Sequence, residues 1–301
     1  MRSPVTPALI LVAHGTRSGR GVEMIAGLAE VVGRELERRH RRGGCADTVA
    51  TGPAGRDGRS AILSGVRTHA LCGCVPDPIE ASERVDGPGV SGVPAVRTAF
   101  VDVLGPSPSE VLRDLVADTR ETAETVPAVV VPAFLASGYH VYQDVPREVG
   151  DSLHPAVTVT PAMGPDPALA RIMAVRLRAA GWRPGDAVVF AAAGSSDVRA
   201  RADVRRAAAM LAERLATPVR TAYVATGAPR VPEVVAQLRA AGRQRVFIAS
   251  YLLAHGLFQE RLHQAGATGV AEPIGVHPAV VRLIADRYRA AARDLAGEQV
   301  R

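Results

Sequence analysis

The stretch VRTAFVDV, residues 96 to 103, returns as VRTAYVAT at residues 219 to 226. Three further landmarks recur in the same order: AHGTR against AAGSS, FLASGYH against LLAHGLF, and MGPDPALARI against IGVHPAVVRL. Ordered recurrence over so much of a chain marks an internal duplication, and a duplication demands that whatever fold one half takes, the other takes too. Short apolar runs (ALILVA, VPAVVVPAFL, DAVVFAAA, QRVFIASYLL) alternate with helical-period stretches such as GVEMIAGLAEVVGREL and RADVRRAAAMLAERL. That alternation predicts an α/β fold in which parallel strands are buried between helices. The expectation is therefore two tandem, similar three-layer α/β/α domains with parallel sheets, divided as residues 1–182 and 183–301. At 301 residues each half has the length to bury its own core.

The spacing between landmarks is unequal. His14 and its partner Ala193 are 179 residues apart, whereas Ala99 and Ala222 are 123 apart, so the first half holds 56 residues more between those points. The excess falls at about residues 41–93, a Gly-, Pro-, Arg- and Ser-rich stretch without a sustained period, expected to be a flexible surface insertion. All three cysteines, Cys45, Cys72 and Cys74, lie in it, with His69 close by in THALCGC. Cys-x-Cys with a remote third thiol is a poor match to metal-ligand spacing, and reduced thiols in a loop are the simpler expectation.

The basic residues number 36 and none is lysine, which removes amine-nucleophile chemistry and Walker-type phosphate binding. Arginine suits bidentate grip on carboxylates, and the net charge of +6 fits an anionic partner. Nucleic acid is disfavoured: the arginines are scattered and only 4% of residues are aromatic, too few for a base-stacking platform. The longest apolar runs fall well short of the roughly 20 residues a membrane helix needs, and a secretory leader pattern is lacking at Met1, so a cytoplasmic protein without membrane contact is expected.

What the second copy lost is as informative as what it kept. Three polar positions of the first half, His14 after LILVA, Asp102 ending VRTAFV and His140 after FLASGY, become Ala193, Ala225 and Phe258. Any one of them alone would be read as a satisfied core or strand-end residue. Changing together on a persisting apolar frame, they point to a site kept in one copy, at strand carboxyl ends where open α/β sheets bind ligands. Two imidazoles and a carboxylate can hold a borderline divalent metal, and imidazole can also accept protons near neutral pH. Metal insertion into a ring that must shed protons would use both properties.

The order HGTR, AFVDVLGPSPSEV, FLASGYHVYQDVP resembles the sirohydrochlorin chelatases, in the long two-domain form of these class II chelatases, over nearly the whole chain outside the insertion. The resemblance implies a cleft between the two domains in which iron or cobalt enters sirohydrochlorin without an organic cofactor, toward siroheme or cobalamin, with enzymes of those pathways downstream as partners. It makes His14 metal ligand and proton acceptor, His140 the second ligand, and Phe134, Leu135, Ala136, Ser137, Gly138 and Tyr139 the lining of the tetrapyrrole. Glycine at 138 would let backbone approach a flat macrocycle closely. The family's second motif usually carries glutamate where this chain has Asp102, a departure that keeps the charge and shortens the reach. Arg17 is expected to contact a substrate carboxylate or to lie in solvent. His255, aligned with Ser137, is read as a decoy, with contact to ligand from the opposing domain the lesser reading, and His277, aligned with Asp166, is expected to cap a helix or lie at the surface. Rival functions are a non-catalytic metal or tetrapyrrole carrier and a phosphate-transfer enzyme with a histidine nucleophile, the latter weakened because alanine stands at position 13 where an arginine would be needed.

Overall fold

The computed structural model describes residues 5–15, 18–43, 92–102, 104–118 and 125–299. The first half runs β1 (Ala8–His14), α1 (Gly19–Gly43), β2 (Val96–Val101), α2 (Pro108–Asp118), β3 (Ala128–Pro132), a π-helical turn (His140–Asp144), α3 (Val145–Ser152), β4 (Val157–Val159) and α4 (Pro167–Ala179). The second half repeats it as β5 (Ala187–Gly194), α5 (Val198–Leu215), β6 (Val219–Thr226), α6 (Val231–Ala240), β7 (Val246–Tyr251), α7 (Leu257–His263), β8 (Gly269–Val270) and α8 (Pro278–Gln299). Each half builds a four-stranded sheet, β2-β1-β3-β4 and β6-β5-β7-β8, in which every pairing is parallel. Strand and helix starts repeat at the spacings of the landmarks: Ala8 with Ala187, Val96 with Val219, Ala128 with Val246, Pro167 with Pro278.

The central strands are apolar without alternation because both of their faces are covered. Leu9, Ile10, Leu11 and Val12 are wholly buried, as are Val129, Val130 and Val131 on the neighbouring strand. Full burial of a Leu or Val side chain is worth about 1.5–3 kcal/mol, so these strands anchor the fold. Outer faces pack on α2 and α3 through Leu112, Leu115 and Val145, and on α6 and α7 through Val231, Val234 and Leu262. Inner faces share one continuous core, with Leu11 and Val131 of the first sheet joined to Phe190 and Phe247 of the second through Leu28, Ile172, Leu211 and Ile284.

That shared core contains an exchange. Helix α4, at the end of the first half, packs on α5 and β7, while α8, at the end of the second, packs on α1, β3 and β4. The Tyr288 hydroxyl of α8 donates to the Pro7 carbonyl at 2.6 Å, and Arg176 of α4 donates to the Ile274 carbonyl. Each sheet is thus completed by the other half's last helix.

The expected insertion needs one correction at its start. Helix α1 continues through Gly43, whereas α5 stops at Leu215, the partner of Leu36, so residues 41–43 extend a helix. The remainder of the expected loop, residues 44–91, with Cys45, His69, Cys72 and Cys74, lies outside the described residues. Among the described residues no helix is long and apolar enough to cross a membrane.

Candidate functional site

In the first sheet the chain leaves β1 toward β2 on one side and leaves β3 toward β4 on the other. The crevice between β1 and β3 is therefore the topological switch point, where no crossover covers the carboxyl ends of the strands. His14 is the last residue of β1, and the segment Ala133–Tyr139 leads from β3 into the π-helical turn that begins with His140. Asp102 follows β2 directly, with φ of 72°. That left-handed conformation is uncommon for a residue with a side chain and least costly for Asp or Asn, and it turns the carboxylate back toward β1.

The structure brings these three residues together. The imidazoles of His14 and His140 stand edge to face with ring centroids 4.9 Å apart, and Nε2 of His14 is 3.7 Å from an Asp102 carboxylate oxygen. Side-chain exposures of 50% for His14, 57% for Asp102 and 34% for His140 leave all three open to the crevice. Phe134 stacks on His140 at 6.0 Å, and Tyr139, largely exposed, meets the same ring edge-on at 6.3 Å.

Both imidazoles are oriented through Nδ1. In His14 that atom lies 2.7 Å from the Gly15 carbonyl oxygen, and in His140 it lies 2.6 Å from the Asp144 carboxylate. A carbonyl or ionised carboxylate only accepts, so each Nδ1 carries a hydrogen, and in the neutral ring Nε2 then holds the lone pair. A π-helical turn places residues four apart on one side, which is how Asp144 reaches His140; such turns recur at functional sites. Asp144 is the residue that inspection of the three motifs misses, although it lies inside HVYQD, four positions beyond the histidine. Its side chain is only 14% exposed, supporting the ring from behind, and Arg147 lies 3.4 Å from its second oxygen.

The remaining expected residues separate clearly. Of the segment expected to line the substrate, Phe134 and Tyr139 border the His140 ring, whereas Gly138 faces the second half: a side-chain carbon there would sit 3.3 Å from Cβ of Ala200. The closeness that calls for glycine is thus to α5. Arg17 lies outside the described residues. His255 follows β7 in the second half, with Nε2 3.1 Å from a Glu272 carboxylate oxygen, and lines a cavity of about 290 Å³ with Ser18 and Arg20 from the start of α1. His277 does cap a helix, its Nδ1 accepting from the Ala279 N–H at 3.1 Å, as Asp166 accepts from Ala168 at the start of α4. At the second copy's vacated corner, the Ala225 carbonyl accepts from the Arg230 guanidinium. Among the described residues no set of three or more His, Cys, Asp or Glu side chains is placed to hold a metal ion; His14 and His140 are a pair of imidazoles, with Asp102 beside His14.

A duplicated parallel α/β fold with one pair of imidazoles at its switch point defines the class. The CbiX family profile matches twice, over residues 80–180 and 187–291, more than half of the sequence, and the chain belongs to that family. The first match starts beyond His14, so that residue's place rests on the fold. Among solved structures, SirB from Bacillus subtilis with Fe3+ is 20% identical with a TM-score of 0.64, covering 97% of this chain and 98% of that one. The sirohydrochlorin chelatase SirB from Bacillus subtilis subspecies spizizenii, in complex with cobalt, is 18% identical with a TM-score of 0.61 over 97% of each chain. CbiX, described as the terminal enzyme for siroheme biosynthesis in denitrifying bacteria, is 19% identical with a TM-score of 0.56, covering 94% of this chain and 99% of that one. At these identities the likeness is one of fold. A search of curated proteins returns no match.

Proposed function

We propose that this chain is a sirohydrochlorin chelatase, inserting a divalent metal, Fe2+ or Co2+, into sirohydrochlorin with release of two protons. The observation that carries the proposal is the pair of imidazoles at the switch point, each with Nδ1 hydrogen-bonded, 4.9 Å between centroids. Membership of the CbiX family supports it, and the metals bound by the SirB structures, iron and cobalt, support the choice of substrate metal.

In the proposed reaction His14 and His140 hold the metal through Nε2 beside the macrocycle, which lies along Phe134 to Tyr139. As the metal passes to the ring nitrogens, two ring N–H bonds break and the metal replaces both protons. His14 Nε2, freed of metal, accepts one proton; water takes the other. The Asp102 carboxylate, 3.7 Å away, offsets the charge that His14 then carries. Neutral imidazole is required for ligation, so proton release and metal transfer are linked. Arg17 would meet a peripheral carboxylate of the substrate. The site belongs to the 1–182 unit, and the 183–301 unit forms the opposing wall.

Mixing the purified protein with sirohydrochlorin and either Fe2+ or Co2+, and following the absorption spectrum of the macrocycle, tests the function. Multiple turnovers per protein support a chelatase. One equivalent bound per chain without turnover identifies a carrier instead.

A further inference from the structure

The segment that presents His140 is held from the other half. Between β3 and the π-helical turn, the Leu135 carbonyl accepts from the Tyr251 hydroxyl at 2.7 Å, and the Ser137 N–H donates to an Asp203 carboxylate oxygen at 2.8 Å. Tyr251 ends β7 and Asp203 lies on α5; they are 3% and 4% exposed. Burial, with the nearby charges of Asp203 and Asp166, pushes the Tyr251 phenol well above its ordinary range, so the hydroxyl stays a donor. The second Asp203 oxygen is occupied by the Arg206 guanidinium. Gly164 closes the arrangement: its N–H donates to the Phe134 carbonyl at 3.2 Å, and a side-chain carbon there would collide with both the Leu135 carbonyl and the Tyr251 hydroxyl.

These contacts run one way. By the spacings of the duplication Tyr251 corresponds to Ala133 and Asp203 to Met24, and neither alanine nor methionine can make the reciprocal bond. The copy that lacks His14, Asp102 and His140 counterparts thus has, at two other positions, the polar groups that grip the segment carrying His140.

From this we infer that Tyr251 and Asp203 are positioning residues for the site. They fix the backbone of Leu135 to Ser137, and through it the direction of the π-helical turn and the distance between the His140 and His14 imidazoles. The second half then serves as the rigid wall that keeps the metal-holding pair preformed. The inference rests on the proposed chelatase function for its catalytic consequence, whereas its structural consequence stands apart from it.

The test compares the full-length protein with Tyr251→Phe, Asp203→Asn and, as a control, Tyr288→Phe, which removes a similar inter-half hydroxyl-to-carbonyl bond at Pro7, on the opposite ends of the strands. Three quantities are measured: amide hydrogen exchange of the peptide spanning 134–142, affinity for Co2+ alone from its visible absorption, and the rate of metal insertion into sirohydrochlorin. Outer partners of metal-holding histidines commonly contribute 10- to 100-fold. Tyr251→Phe and Asp203→Asn are each expected to speed exchange in 134–142, weaken Co2+ binding roughly 10-fold and slow kcat by a similar factor. Tyr288→Phe is expected to lower Tm and leave all three quantities at wild-type values. The double variant should lose less than the product of the singles, because both residues hold one segment. Unchanged exchange and Co2+ affinity in Tyr251→Phe and Asp203→Asn, or equal changes in Tyr288→Phe, would overturn the inference. Failure of the wild type to insert metal would overturn the chelatase function while leaving the exchange and Co2+ comparisons to decide the positioning role.

Discussion

Asp144 and His140 form the shortest polar contact of the site, 2.6 Å from carboxylate to Nδ1, one turn apart in a π-helical segment. The carboxylate fixes which ring nitrogen carries the hydrogen and holds the ring plane, the usual task of a group behind a metal-ligating histidine. Asp144→Ala is therefore expected to slow metal insertion by roughly 10- to 100-fold with little loss of sirohydrochlorin affinity. Steady-state kinetics with a separate substrate-binding titration check this. A rate within twofold of wild type would remove Asp144 from the site.

Asp102 combines an uncommon backbone conformation with a carboxylate aimed at His14. Asp102→Asn preserves tolerance of positive φ while deleting the charge, which makes it the clean variant. It should bind sirohydrochlorin normally and insert metal more slowly across pH 6 to 9. Asp102→Glu keeps the charge on a longer side chain and should stay active, with an altered ratio of iron to cobalt rates. Wild-type rates for Asp102→Asn would reduce the residue to a strand-end turn.

Acid should weaken the fold near pH 6. Burial pushes the His154 imidazole below its ordinary value, offset only in part by the Val126 backbone, and burial with the Arg176 and Arg282 charges does the same to His277. A depressed imidazole favours the neutral folded form, so the unfolded chain binds more protons once pH drops below about 6.5. This contribution to stability is complete above that pH and is lost as pH falls from there toward the folded-state values. Denaturant melts between pH 5 and 8 should show the loss, and a smaller slope in His154→Phe. Parallel pH profiles for variant and wild type would contradict the assignment.

The exchange of α4 and α8 predicts how a half behaves alone. A piece comprising residues 1–182 retains α4 but lacks α8, leaving the inner face of β3 and β4 uncovered. Because α4 covers the equivalent face of the partner sheet, two copies can complete one another. The piece should sediment as a dimer, and a stable monomer would show that α8 is dispensable to the first sheet.

Much of this arrangement is legible in the linear order of residues. The four landmarks place strands and helices in both halves, down to matched starts at Ala8 and Ala187 or Pro167 and Pro278, because a duplicated apolar frame constrains each copy by the other. His14, Asp102 and His140 emerge from losses in the second copy. Tyr251 and Asp203 could have emerged from its gains, since each polar residue stands where the first copy has an apolar one. The helix exchange has no such signal: an amphipathic helix shows which of its faces is buried but not which sheet buries it. Asp144 is hidden for a related reason, as a His-x-x-x-Asp spacing has meaning only once the local helix is known.

The most direct measurement is the single-turnover rate of Co2+ insertion into sirohydrochlorin by the wild type, His14→Ala, His140→Ala and His255→Ala. A site confined to the first half predicts losses of at least about 100-fold for His14→Ala and His140→Ala, the scale of a missing ligand and proton acceptor, while His255→Ala, whose imidazole pairs with Glu272, remains near the wild-type rate. Equal losses in all three variants, or wild-type rates in His14→Ala and His140→Ala, would contradict it.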